Sequence, residues 1–263
     1  MEKRLLGRTG EQLSVVGFGG ILVMNEEPQA ASRLVAQAVD RGINYFDVAP
    51  SYGNAEERLG PALEPYRKRV FLACKTEMRT RDGAAAALRQ SLQRLRTDHF
   101  DLYQFHGVSK MGEVEQILGP GGAMEAFLEA KDKGLIRFIG FSAHSEEAAL
   151  ALMDRFPFDS ILFPFNWVCW HQGQFGPRVL EKAMQKGVGR LALKALAKPS
   201  AVSGRSAGIT RWKAPKRRPW AYVSPSPARS PLPPVPATPS SSGGPVMPPT
   251  SSRPSRKRRR PRS

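Results

Sequence analysis

A parallel α/β fold is predicted by three features of the first ~200 residues. Short β-rich runs alternate strictly with amphipathic helical patterns, and several of these runs are apolar almost throughout. That composition suits strands covered on both faces. Seven runs and six helices can be counted, so the chain predicts a barrel-type α/β fold that stops one strand short. An eight-stranded (β/α)8 barrel takes roughly 250 residues, whereas the alternation here ends near residue 198.

In order, the predicted strands are Leu13–Phe18, Ile43–Val48, Val70–Lys75, Asp101–His106, Ile136–Ser142, Ser160–Phe165 and Val188–Leu196. The helices between them have legible ends. Pro28 suits a first helical position, Leu34, Val35, Ala38 and Val39 form one stripe, and Gly42 closes the element. Asn54 caps a short second helix. Asp82 caps a third, with Leu88, Leu92 and Leu95 on one face. Met124, Phe127 and Leu128 mark a fourth that stops at Gly134. Ser145, followed by Glu146 and Glu147, starts a fifth, and Pro177 starts a sixth that ends near Gly187.

Charge divides the chain in two. The 263 residues carry a formal charge of +17, from 40 Lys+Arg against 23 Asp+Glu. Residues 1–198 hold 26 of the basic and all 23 acidic residues, a balance of +3; residues 199–263 hold the other 14 basic residues and no acid. Proline splits similarly, with 8 before Pro199 and 15 from there onward. The expected organisation is therefore a nearly neutral globular domain, 1–198, and a basic Pro/Ser/Arg-rich tail, 199–263. From Pro227 the run PARSPLPPVPATPSSSGGPVMPPTSS is too poor in apolar residues to form a core, so disorder is expected there. The change after Lys198 is also what translation in a shifted frame would produce.

Two cysteines, Cys74 and Cys169, exclude a disulfide scaffold and paired zinc-binding CxxC motifs. The N-terminus lacks the apolar core of a secretory signal. The most apolar stretch, Ser160 to Trp170, is far shorter than the ~18 residues that span a bilayer. A soluble cytoplasmic protein without a membrane partner is the expectation.

In such folds active sites form at the C-terminal ends of the strands. That rule selects Asp47 at the end of the second run, Tyr52 in the loop after it, Lys75 ending the third and His106 ending the fourth. Taken singly, each also suits an ordinary role, such as a helix cap for Asp47 or a strand-end imidazole for His106. Taken together, they set a carboxylate, a phenol, an ammonium and an imidazole on one rim. An ammonium lowers the pKa of a neighbouring phenol, a carboxylate holds the ammonium charged, and an imidazole can hydrogen-bond a carbonyl oxygen. This set suits protonation of an oxygen as hydride reaches its carbon.

The segments LGRTGEQLSVVGFGG, GINYFDVAPSYGNAEERLG, VFLACKT, DLYQFH, GLIRFIGFSAH and GVGRLALKALAK resemble the aldo-keto reductase family over residues 1–198. The resemblance implies a TIM barrel reducing small aldehydes or ketones with NADPH, without a metal. It implies Tyr52 as general acid, Lys75 and Asp47 as its tuning pair, and His106 as the group orienting the carbonyl. It further implies that Ser142 holds the nicotinamide carboxamide and that pyrophosphate contacts begin at Lys194. Three departures accompany it. Ala143 stands where the family has Asn, Leu162 where it often has Gln (with Asn166 nearby as a substitute), and Leu193 where it has a stacking aromatic. No segment after Lys198 resembles the clamp for the adenosine 2′-phosphate, which puts activity of this chain in question.

Other signals are weak. Gly17, Gly19 and Gly20 fail as a dinucleotide fingerprint because Leu22 takes the third glycine position, so they predict tight backbone at a strand end. The C-x-H spacing of Cys169 and His171, with a distant His144, is a poor metal signature. Trp167 and Trp170 suit a pocket wall or packing equally. The run Arg256–Arg260 gives the competing hypothesis, an inactive barrel-derived protein whose tail binds nucleic acid or another polyanion non-specifically.

Overall fold

The computed structural model describes residues 1–195 and the pair Ser224–Pro225; of residues 167, 168 and 172 only the backbone is described. Seven parallel strands run side by side: β3 (Phe18–Gly19), β4 (Tyr45–Asp47), β5 (Phe71–Thr76), β6 (Phe100–Val108), β7 (Ile136–Ala143), β8 (Ser160–Phe163) and β9 (Gly189–Ala192). The sheet curls into a half-barrel with helices packed on its outer face. Beside β9 the two-residue β10 (Ser224–Pro225) runs antiparallel. The remainder of the predicted tail lies outside the described residues.

The first predicted run divides. Gln12–Ser14 (β2) pairs antiparallel with Lys3–Leu5 (β1), while only Phe18–Gly19 enters the barrel sheet. This hairpin brings Leu6 and Leu13 under the curl, where they pack with Tyr45, Phe71, Ala73, Leu102, Leu162 and Leu191. A larger apolar layer fills the space between sheet and helices. Period-two alternation sorts the strand residues between these layers. On β5, Phe71, Ala73 and Lys75 share the inner face, and Leu72 and Cys74 the outer one.

Eight α-helices occur among the described residues: α1 (Pro28–Asp40), α2 (Ala55–Leu63), α3 (Arg81–Arg94), α4 (Met111–Leu118), α5 (Ala123–Asp132), α6 (Glu146–Arg155), α7 (Trp167–Gly173) and α8 (Pro177–Gln185). Pro28 opens α1, and the Ser145 hydroxyl caps α6 by accepting from the Ala148 N–H at 3.2 Å. Two caps differ from expectation. Thr80 precedes α3, so Asp82 lies in its first turn, where a carboxylate favours the positive end of the helix dipole. Asn54 flanks α2, but its side chain accepts from the Asn25 N–H instead. Leu128, expected on a buried stripe, is 43% exposed.

Gly20 and Gly60 are among the glycines that mark close approaches. A Cβ on Gly20 would lie 2.7 Å from the Val48 side chain, the tight strand end expected there. A Cβ on Gly60 would meet the Arg94 carbonyl oxygen at 2.5 Å and Leu95 Cα at 2.7 Å, so α2 and α3 touch through bare backbone. Gly60→Ala should therefore destabilise the fold by about 1–3 kcal/mol, the usual result of overpacking. An unchanged urea midpoint would refute this contact.

At the N-terminal end of the strands, Asp101 accepts from Arg67 (3.0 Å), Arg137 (2.7 Å) and the Leu72 N–H (2.9 Å). A cavity of about 760 Å³ there is walled by these charges and by Arg96 and Glu64, which pair with each other. It lies at the end opposite the predicted site. Among the described residues no helix is long and apolar enough to cross a membrane.

Candidate active site

The four predicted groups converge at the C-terminal rim. Asp47 ends β4 and Lys75 stands one residue before the end of β5; both are buried and joined by an ion pair, Lys75 Nζ to Asp47 Oδ1. The loop after β4 carries Tyr52, whose ring centroid lies 5.3 Å from Lys75 Nζ. His106, on β6, meets the Tyr52 ring edge-on, with centroids 5.9 Å apart and an interplanar angle of 89°.

Burial sets the electrostatics. Burial alone would push the Lys75 ammonium down, but Asp47 beside it reverses this and holds it above its ordinary value. The Tyr52 phenol is raised by burial, and Lys75 opposes that rise. Burial, and then the Lys75 charge, push His106 down to about 4. The site thus presents a charged ammonium, a protonated phenol and a neutral imidazole at neutral pH.

A pH dependence follows from His106. An unfolded imidazole takes its proton near pH 6.5, the folded one near 4, so the unfolded chain binds more protons between these values. The neutral buried form contributes its full stability above pH ~6.5 and loses it as the pH falls toward ~4. His106→Gln should flatten this part of a urea-midpoint-against-pH curve; an identical slope in the variant would contradict it.

Two side chains beneath the rim escaped the strand-end rule. Asp47 Oδ2 accepts from the Tyr45 hydroxyl at 3.2 Å and from Gln104 Nε2 at 3.1 Å. These donors hold the carboxylate so that Oδ1 faces Lys75. Burial first, and then Asp47, raise Tyr45 well above its ordinary value, so it stays a neutral donor. Their signal is the period of two: Tyr45 stands two residues before Asp47, Gln104 two before His106, and Gln104 is a fully buried amide in an apolar strand.

The residues expected to hold a cofactor lie around the same end of the sheet. Ser142, buried on β7, accepts from the Gly107 N–H through its Oγ at 2.8 Å, which leaves its own O–H available. Asn166 caps α7, its Oδ1 accepting from the Cys169 N–H at 2.9 Å. Lys194 follows β9 with φ +57°, a conformation unusual outside glycine, and its charge, after burial, depresses His144. Leu162 is buried, and Leu193 packs on the inner cluster. Trp170 is half-buried on α7. Among the described residues no group of three or more His, Cys, Asp or Glu side chains gathers to hold a metal.

The chain and its fold have counterparts among known proteins. The model of the aldo/keto reductase family matches residues 15–221, past the boundary at Lys198 read from composition. The uncharacterized oxidoreductase YqkF of Bacillus subtilis is 32% identical over 180 residues, covering 63% of this chain and 56% of that protein. Aldo-keto reductase YhdN of the same organism is 31% identical, covering 63% and 54%, and L-galactose dehydrogenase of Arabidopsis thaliana is 31% identical, covering 60% and 53%. The chain spans little more than half the length of these curated relatives. Among solved structures, an aldo-keto reductase from Pseudomonas aeruginosa superposes with a TM-score of 0.66 at 28% identity, covering 74% of this chain and 78% of that one. The holo form of aldo-keto reductase AKR11C1 from Bacillus halodurans gives 0.62 at 28%, covering 74% and 66%. With the family model matched across more than three-quarters of its length, and the curled parallel sheet shared with these structures, the chain belongs to the aldo-keto reductase family of oxidoreductases.

Proposed function

We propose that this chain reduces the carbonyl group of a small aldehyde or ketone with NADPH, Tyr52 acting as general acid. One observation carries this reading: a half-buried phenol stands between a buried ammonium–carboxylate pair and a neutral imidazole on a single rim. NADPH, when bound, supplies the hydride that reaches the carbonyl carbon. The chain's own residues handle the oxygen. Ser51 Oγ and Glu77 Oε1 each lie 3.3 Å from His106 Nδ1; in the tautomer with its proton on Nε2, the imidazole can bind and orient the carbonyl oxygen. Tyr52 transfers its proton to that oxygen as negative charge develops there. Lys75 stabilises the phenolate left behind, and Asp47 keeps Lys75 protonated and in place.

The residues present suit a nicotinamide. The Ser142 hydroxyl already accepts one hydrogen bond and keeps its own O–H to donate, which matches an amide carbonyl. Leu162 and Leu193 offer an apolar wall to a ring face, and Lys194 offers a cation to a phosphate. Asn166, already engaged in capping α7, is the weakest member of the set. The basic segment beyond the family match, 222–263, has no part in this reading. The test is direct: purified chain, NADPH and a small aldehyde, followed by loss of NADPH absorbance. Consumption above a protein-free control supports the proposal, and no consumption at saturating protein rejects it.

A further inference from the structure

Beyond Thr76 and Phe105 the strands β5 and β6 no longer pair. The chain leaving β5 turns toward α3, while β6 runs on to Val108, opposite Ala143. One guanidinium bridges this divergence. Arg79 donates from Nη1 to the Thr76 carbonyl (3.3 Å) and from Nη2 to the carbonyl of His106 (2.6 Å). The same fork holds Glu113 Oε1 through Nε (3.0 Å) and Nη2 (2.8 Å). The other oxygen of Glu113 accepts the N–H groups of Ser109 (2.9 Å) and Lys110 (3.1 Å), just ahead of α4. The Arg79 backbone is pinned as well, since its carbonyl accepts from the Ala123 N–H at 2.9 Å.

We propose that Arg79 is a positioning residue for His106, its fork tying the exits of β5 and β6 together so that the imidazole stays edge-on to Tyr52. Its catalytic half rests on the reductase reading given above. Three features single out this arginine. Its side chain is only 10% exposed, against 28% for Glu113, so the guanidinium end of the pair is shielded from solvent. The contact is to the backbone of His106 itself, next to Gly107, where φ is +67° and the strand register shifts. A lysine, with one compact ammonium, cannot span two carbonyls and a carboxylate in this planar pattern. The groups facing His106 from neighbouring elements are Asp47 on β4, Ser51 and Tyr52 after it, Lys75 on β5, Glu77 and Arg79 after it, and His144 beyond β7. Arg79 therefore adds its positive charge to that of Lys75 in keeping the imidazole neutral.

The experiment uses the full chain and two variants, Arg79→Met and Arg79→Lys. The titration of His106 is followed by proton NMR, its resonance identified by its loss in His106→Gln. In the native chain it should titrate near 4. In Arg79→Met it should move up toward the ordinary imidazole range, and kcat/KM for a small aldehyde should fall by roughly 10- to 100-fold, as for a misplaced orienting group. Arg79→Lys should keep the low titration point yet share most of the kinetic loss. An unmoved titration and an unchanged kcat/KM in Arg79→Met would overturn the proposal, as would native kcat/KM in Arg79→Lys. If Arg79→Met does not fold by circular dichroism, Arg79→Lys decides alone. A native chain that turns over no aldehyde defeats the reductase reading; the titration then decides whether Arg79 governs His106.

Discussion

Tyr52→Phe should lower the rate of carbonyl reduction by about 10²- to 10⁴-fold, the range associated with one positioned general acid. The substitution removes a single oxygen. The ring keeps its edge-on contact with His106 and its place beside Lys75, so the fold is left intact. The loss should fall on kcat, because in the proposed mechanism the phenol acts on charge that develops only in the transition state. NADPH binding, followed by fluorescence, should be unchanged. Steady-state kinetics at matched protein concentration check this, and a variant that retains native kcat would remove Tyr52 from the mechanism.

Asp47→Ala should have the largest effect on stability. It leaves the Lys75 ammonium, 1% exposed, buried without its counter-ion. Removing one partner of a buried pair typically destabilises by about 3–5 kcal/mol, because the remaining charge must be neutralised or hydrated. The hydrogen bonds from Tyr45 and Gln104 would lose their acceptor at the same time. A cycle separates the causes. Asp47→Ala with Lys75→Met should be markedly more stable than Asp47→Ala alone, since no buried charge remains. Urea unfolding of the four proteins measures this; a double variant as unstable as Asp47→Ala would show that the charge is not responsible.

The parallel sheet was legible because its strands are apolar on both faces, and their order along the chain is their order in space. Elements whose stability comes from elsewhere were not. The hairpin strand Lys3–Leu5 is three residues with an exposed, half-buried, exposed pattern, and it gains its place from pairing with β2. Helix α4 buries only Val114 and Ile117, too few for a stripe. Helix α7 was concealed in the apolar run Ser160 to Trp170, of which only four residues form β8. At the site, Asp47, Lys75 and His106 could be found because strand ends are visible in sequence. Tyr45, Gln104 and Arg79 could not, because their partners come from neighbouring elements and depend on register. The family resemblance stated at the outset agrees with the family model and with the solved structures.

The strict in-and-out alternation along β5 has a further consequence, for how this chain can change in length. Lys75 and Cys74 are sequence neighbours on opposite faces of one strand: the ammonium meets Asp47, while the thiol faces Glu56 on α2. Adding or deleting a single residue inside β5 would reverse that parity, sending the thiol to the rim and burying the ammonium beneath the helices. A two-residue change would restore the face but displace the ammonium along the strand by roughly 7 Å. Neither leaves the site intact. Growth and loss are thus confined to the connections between strands, and the spacing from Tyr45 to Asp47 and from Gln104 to His106 is as much a part of the candidate site as the residues themselves.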